Sequence, residues 1–153
     1  HCPYAKASWP LVVDLHKKFG ADIGFVAINS NDAQAYPEDS PEKMKEYARD
    51  EGIDFPYVFD ETQEVARNYH AQCTPDPYLF KRENETFALF YHGRISNHWF
   101  VRVSSFLKKH GGPSEQKSSI EENLSNAMEH LLRGEASPED QPPSIGCSIK
   151  WRE

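Results

Sequence analysis

Two stretches limit what this chain can become more than any others: His1-Cys2-Pro3-Tyr4, at the mouth of a predicted helix, and Cys73-Thr74-Pro75-Asp76 far downstream. A thiol is a weak nucleophile until it ionises, and the first turn of a helix offers unpaired backbone donors and the positive end of the macrodipole, which favour thiolate. Cys2 has that placement. His1 flanks the sulfur and is positioned to tune its pKa. A cis X-Pro turn can present the preceding residue's backbone to an extended chain, and Thr74-Pro75 stands immediately before a predicted hairpin strand, where a cis bond has a purpose. If the fold brings the stretches together, Pro75 is cis and close to Cys2, and the two form a redox site in which Cys73, two residues before the turn proline, either takes part or packs as an inert thiol.

A dithiol at a helix start needs C-x-x-C spacing for its sulfurs to meet. Neither Tyr4 nor Ala5 is a cysteine, so a partner at that spacing is expected ahead of His1. With no initiator methionine or targeting sequence before His1, the chain reads as a fragment or a processed form.

Between these anchors the pattern alternates. Trp9, Val12, Val13, His16 and Phe19 have helical spacing, with Pro10 expected to bend the helix and Gly20 at its C-cap. The run from Ile23 to Ile28 reads as a strand covered on both faces. Ser40-Pro41-Glu42 is an N-cap signature for a helix that Gly52 should end. A strand from Phe55 to Asp60 and a helix from Glu61 to Tyr69 follow. Pro77 to Lys81 and Thr86 to Tyr91 flank a polar turn, a hairpin by spacing. Ser119 to Leu132 is again helical, and Pro138, Pro142 and Pro143 keep the tail irregular. The order implies an α/β sheet, parallel first and antiparallel later. One domain over 1–133 is expected, with an insertion at about 96–119 and a tail, 134–153, packed on its body.

The 153 residues suffice for one core, and no apolar run approaches the roughly eighteen residues of a membrane span. The net charge of −7 is local: ten carboxylates from Glu38 to Glu64 face only Lys43, Lys45 and Arg49, which makes nucleic acid an unsuitable ligand for that acidic, solvated face. Three widely spaced cysteines, Cys2, Cys73 and Cys147, are no secreted disulfide framework and point to a reducing compartment, the cytoplasm or an organelle stroma or matrix. His16, His70, His92, His98, His110 and His130 lack ligand spacing, so no metal is expected, and no glycine loop cradles a phosphate or other cofactor.

The succession of motifs resembles a known family. His-Cys-Pro-Tyr at 1–4, Ala27-Ile28-Asn29-Ser30-Asn31-Asp32, Tyr36-Pro37-Glu38-Asp39-Ser40, Asp60-Glu61-Thr62-Gln63-Glu64, Cys73-Thr74-Pro75-Asp76 and the terminal Pro143-Ser144-Ile145-Gly146-Cys147-Ser148-Ile149-Lys150-Trp151 look like the thioredoxin-like superfamily, in its peroxiredoxin and thiol-reductase branch. The resemblance covers most of the chain outside 96–119. It implies a three-layer α/β/α sandwich with a mixed sheet whose first strands precede this sequence. It also implies a Cys-x-His-Cys-Pro site in which Cys2 resolves an intermediate formed on a cysteine two residues before His1. The substrate would be a protein disulfide or a peroxide. Cys73 and Cys147 each read either as a relay of the disulfide or as an inert, packed thiol. A second reading is a redox-inactive module of a larger assembly, docking through the aromatic and basic segment from Trp99 to His110.

Overall fold

The computed structural model describes residues 1–98 and 120–152. The docking segment around Trp99 and His110, and nearly all of the expected insertion, lie outside these residues. The chain forms two compact units, one of His1–Asp76 with Ile145–Glu153, the other of Pro77–Ser144.

In the first unit α1 spans Pro3–Phe19, with Cys2 as its N-cap and Pro3 at the first helical position, where a missing N–H costs nothing. The helix runs on through Pro10. Gly20 is its C-cap, as expected, with an ordinary right-handed backbone at φ −65°. Glycine is needed there for room: a Cβ would stand 2.6 Å from His16 O and 2.7 Å from the His16 ring. β1 (Ala27–Asn29) pairs in parallel with β2 (Tyr57–Phe59), Ile28 opposite Val58. The expectation of a strand covered on both faces fails here, since Val26 and Ile28 are 59% and 41% exposed. A continuous apolar run records hydrophobicity but not which neighbour covers it.

α2 (Pro41–Glu51) begins as its sequence dictates, with Ser40 Oγ accepting from Lys43 N. Gly52 closes it in the left-handed region at φ 69°, with open space where a Cβ would go. Gly52→Ala is therefore expected to cost about 1–2 kcal/mol through backbone strain alone, read as a lower urea midpoint with an unchanged slope. Between the helices Trp9, Tyr47, Phe55, Tyr57, His16 and Phe25 form an aromatic cluster; Trp9 meets Tyr57 edge-on at 5.2 Å. α3 is the short Glu64–Asn68, and β3 (Cys73–Thr74) pairs antiparallel with β6 (Cys147–Ser148).

In the second unit β4 (Tyr78–Glu83) and β5 (Thr86–His92) form the expected hairpin. Its two-residue turn is shorter than the four polar residues suggested, because Arg82 and Glu83 stay in the ladder and Asn84 takes φ 57°. α4 (Asn123–Leu132) buries Leu124, Ala127 and Met128, and Leu79, Phe90, Tyr91 and Ile95 are buried in the same unit. Parallel pairing thus precedes antiparallel pairing along the chain, divided among three two-stranded ladders in the described residues. No helix among them is long and apolar enough to cross a membrane.

Candidate functional site

The candidate site lies wholly within the first unit. Two short elements build it: the start of α1, which fixes Cys2, and the β3–β6 ladder, whose Thr74↔Cys147 register carries a second sulfur to the first. The Thr74–Pro75 peptide is cis. Cys2 Sγ donates to Thr74 O at 3.3 Å and lies 2.7 Å from Cys147 Sγ, both cysteines being free thiols. Cys2 is 3% exposed, so Thr74 and Cys147 cover the sulfur expected to react.

Burial pushes the Cys2 thiol up, but donors facing the sulfur outweigh it: the Cys147 thiol, the Thr74 side chain, and the backbone N–H groups of Ala5 and Cys147. Together they hold its pKa below the ordinary value of 9.0. Thr74 Oγ1 is buried without a partner among the described residues in the structure, which leaves its hydroxyl to serve the ionised sulfur. Cys147 moves the other way; burial, the bond it donates to Cys2, and the charge on Cys2 all keep its proton on. Burial and the Asp76 carboxylate push Cys73 to about 11, and its sulfur approaches Pro75 O at 3.7 Å. Cys73 thus carries less thiolate than Cys2 at neutral pH.

These directions predict the ultraviolet thiolate titration of the reduced protein. One thiol ionises below pH 9 and vanishes in Cys2→Ser, while Cys73 ionises only near pH 11. A low step that survived Cys2→Ser would contradict the assignment. Because the native state holds the Cys73 proton, ionising that thiol weakens the fold as pH rises from the ordinary thiol range toward about 11.

His1 turns away from the sulfur expected to be its partner. Its ring stacks on Tyr36 at 4.7 Å, and its Nδ1 lies against Asp39 Oδ2. Asp39, expected among solvated carboxylates, is 6% exposed and also accepts from Asn31 Nδ2 at 3.0 Å. Asp60, 8% exposed, is a second exception; it accepts from Ser30 Oγ at 2.9 Å and Ala66 N at 3.1 Å. The expectation of one continuous solvated acidic face is corrected at both. A carboxylate whose neighbours are Asn, Ser and backbone donors can be buried, and composition alone does not reveal those neighbours.

A polar clasp positions Cys147. Lys150 N donates to Asn31 Oδ1 at 3.0 Å, and Asp32 N to Lys150 O at 2.9 Å. Gln63, 2% exposed with φ 61°, donates from Nε2 to Ser30 O at 2.6 Å and Lys150 O at 2.8 Å, and its Oε1 accepts from Arg152 N at 2.9 Å. Arg67 lies over the Trp151 ring at 5.1 Å. Gln63 and Asn31 were not singled out from sequence as site residues; their signal was the buried polar motifs on either side of β1 and α3. Among the described residues, no group of three or more His, Cys, Asp or Glu is arranged to hold a metal ion.

Comparison with known proteins adds to this geometry. A model of the AhpC/TSA family matches residues 1–98. An uncharacterised conserved protein from Geobacillus kaustophilus is 42% identical, with a TM-score of 0.80 over 99% of this chain and 72% of that one. A hypothetical protein from Sinorhizobium meliloti 1021 is 32% identical, with a TM-score of 0.78 over 99% of this chain and 75% of that one. None of the curated proteins compared with the chain matches it.

Proposed function

The chain belongs to the AhpC/TSA family and has its α/β thioredoxin-like fold, and from that premise we propose that it is a thiol–disulfide oxidoreductase or thiol peroxidase acting through Cys2. The observation that carries the reading is the Cys2 sulfur, at a helix N-cap, 3.3 Å from the carbonyl of a cis Thr74–Pro75 step. The helix start favours thiolate, and Thr74 supplies the backbone edge against which a second sulfur is held. Cys2 enters the exchange, in the resolving role if the attacking cysteine precedes His1. Thr74 and Pro75 present the partner sulfur. His1 acts through its bond to Asp39, which fixes the start of α1, and Cys73 stands aside as a packed thiol. The substrate is a disulfide or a peroxide, and a reducing compartment suits a protein whose thiols must be restored after each cycle.

The full-length protein is the material for the test. Supplied with a dithiol reductant, it is expected to turn over a model disulfide or hydrogen peroxide, and Cys2→Ser is expected to reduce that turnover to background. Turnover unchanged by Cys2→Ser would remove the proposal. Cys73→Ser is expected to leave the rate within about twofold, since a thiol ionising near 11 contributes little thiolate at neutral pH.

A further inference from the structure

Residues 145–152 lie where a substrate strand would have to lie. β6 takes the backbone edge of Thr74, with Cys147 opposite it in the ladder. The approach is close enough to exclude any side chain at Gly146, where a Cβ would come within 1.9 Å of Thr74 O and 2.5 Å of Thr74 C. Beyond the ladder itself, the segment is fastened by Asn31, Asp32 and Gln63 through Lys150 and Arg152, bonds in which the Cys147 sulfur takes no part. Its grip therefore survives changes at the sulfur. Cys147 retains partial exposure while Cys2 is 3% exposed, so an oxidant meets Cys147 first.

We infer that residues 145–152 form a built-in substrate strap: Cys147 collects oxidation from a low-molecular-weight disulfide and the Thr74 edge presents it to Cys2, which an external protein strand cannot reach while the strap is docked. This rests on the oxidoreductase reading and names its substrate class. In the first step Cys147, ionised by the mildly alkaline medium, attacks one sulfur of the small disulfide RSSR through its thiolate; a Cys147–SR bond forms, the S–S bond of RSSR breaks, and the departing RS⁻ takes up the proton that Cys147 had given up, leaving as RSH. In the second the Cys2 thiolate attacks the Cys147 sulfur. The Cys147–SR bond breaks, a Cys2–Cys147 bond forms, and the departing RS⁻ takes up the proton that Cys2 had given up. Two protein thiols are oxidised and one small disulfide is reduced to two thiols. The neighbouring sulfur needs no diffusional encounter; even a flexible tether gives effective concentrations of order millimolar, and the clasp holds Cys147 far more narrowly.

Oxidised glutathione is a suitable probe, with reduced full-length protein at mildly alkaline pH and disulfide mapping by mass spectrometry. Wild type is expected to form the Cys2–Cys147 bond, lose two hydrogens and retain no glutathione. Cys2→Ser should stop after the first step, carrying one glutathione on Cys147. In Cys147→Ser the Cys2 thiol should acquire glutathione roughly tenfold more slowly than Cys147 does in Cys2→Ser, because it must await local opening of the strap. Gly146→Val, which pushes the strap off Thr74 without touching a sulfur, should reverse that protection and leave glutathione on Cys2. A wild-type disulfide joining Cys2 to any cysteine other than Cys147 overturns the strap, as does Cys147→Ser protein that reacts at Cys2 as fast as Gly146→Val does. If the full-length protein shows Cys2-dependent turnover yet gives either result, the strap fails and the oxidoreductase reading stands; without Cys2-dependent turnover both fail.

Discussion

Asp39→Ala is expected to lower the stability of the fold by about 3 kcal/mol, among the larger effects of any single substitution in the first unit. The side chain accepts from Asn31 Nδ2 and lies against His1 Nδ1, while Asn29 Nδ2 donates to the Asp39 carbonyl at 3.0 Å. Truncation leaves the amide of Asn31, itself 6% exposed, without its acceptor, and each buried group so orphaned costs about 1–3 kcal/mol. It also frees His1 from its stack on Tyr36 and so loosens the turn that holds Cys2. Urea unfolding measures the first effect. The second should appear as a rise in the ionisation midpoint of Cys2, since a frayed helix start presents fewer aligned donors. A loss below about 1 kcal/mol would show that Asp39 is solvated, as the acidic composition of its surroundings suggested.

Gln63→Ala should cost a similar 2–4 kcal/mol and act on the opposite side of the site. One amide side chain ties Ser30, Lys150 and Arg152 together, joining the end of β1 to the C-terminal segment. Removing it leaves Ser30 O and Arg152 N without this partner and Lys150 O with Asp32 N alone. The stability loss is accompanied by a local one: the amides of Lys150 and Arg152 should exchange with solvent at least about tenfold faster, while those of α2, which shares none of these bonds, should change only as far as global stability falls. Equal acceleration everywhere would mean that Gln63 supports the fold without a particular hold on the segment carrying Cys147.

Much of the frame could be read from local chemistry. Ser40, Pro41 and Gly52 carry the start and stop of α2 within their own turns, and the helix appears between those residues. Pro75 was readable for a similar reason, since a Thr-Pro before a hairpin has few uses. The hairpin itself followed from its spacing, with only the turn misjudged in length. What could not be read depends on distant partners. Cys147 meets Cys2 across nearly the whole chain through a ladder of two residue pairs, too short to leave a periodic signal. Asp39 and Asp60 look in sequence like their exposed neighbours Glu38 and Glu61; only the amides and hydroxyls facing them decide their burial. Ile28 makes the opposite error, an apolar residue expected to be covered that remains more than two-fifths exposed. Periodicity reports which face a residue shares, and tertiary neighbours decide whether that face is covered.

Two sulfurs with opposite tendencies meet at the site. Cys2 sheds its proton more readily than an ordinary thiol and Cys147 less readily, an asymmetry that suits the proposed exchange. Thr74 serves both, as acceptor for the Cys2 thiol and as ladder partner of Cys147. The most direct measurement is the chemical state of Cys2 while the full-length protein is turning over a model disulfide, captured by acid quenching and disulfide mapping. The account predicts that a fraction of Cys2 is found in a disulfide during turnover and returns to the thiol when substrate is exhausted. Steady turnover with Cys2 recovered as a free thiol at every time point would contradict it.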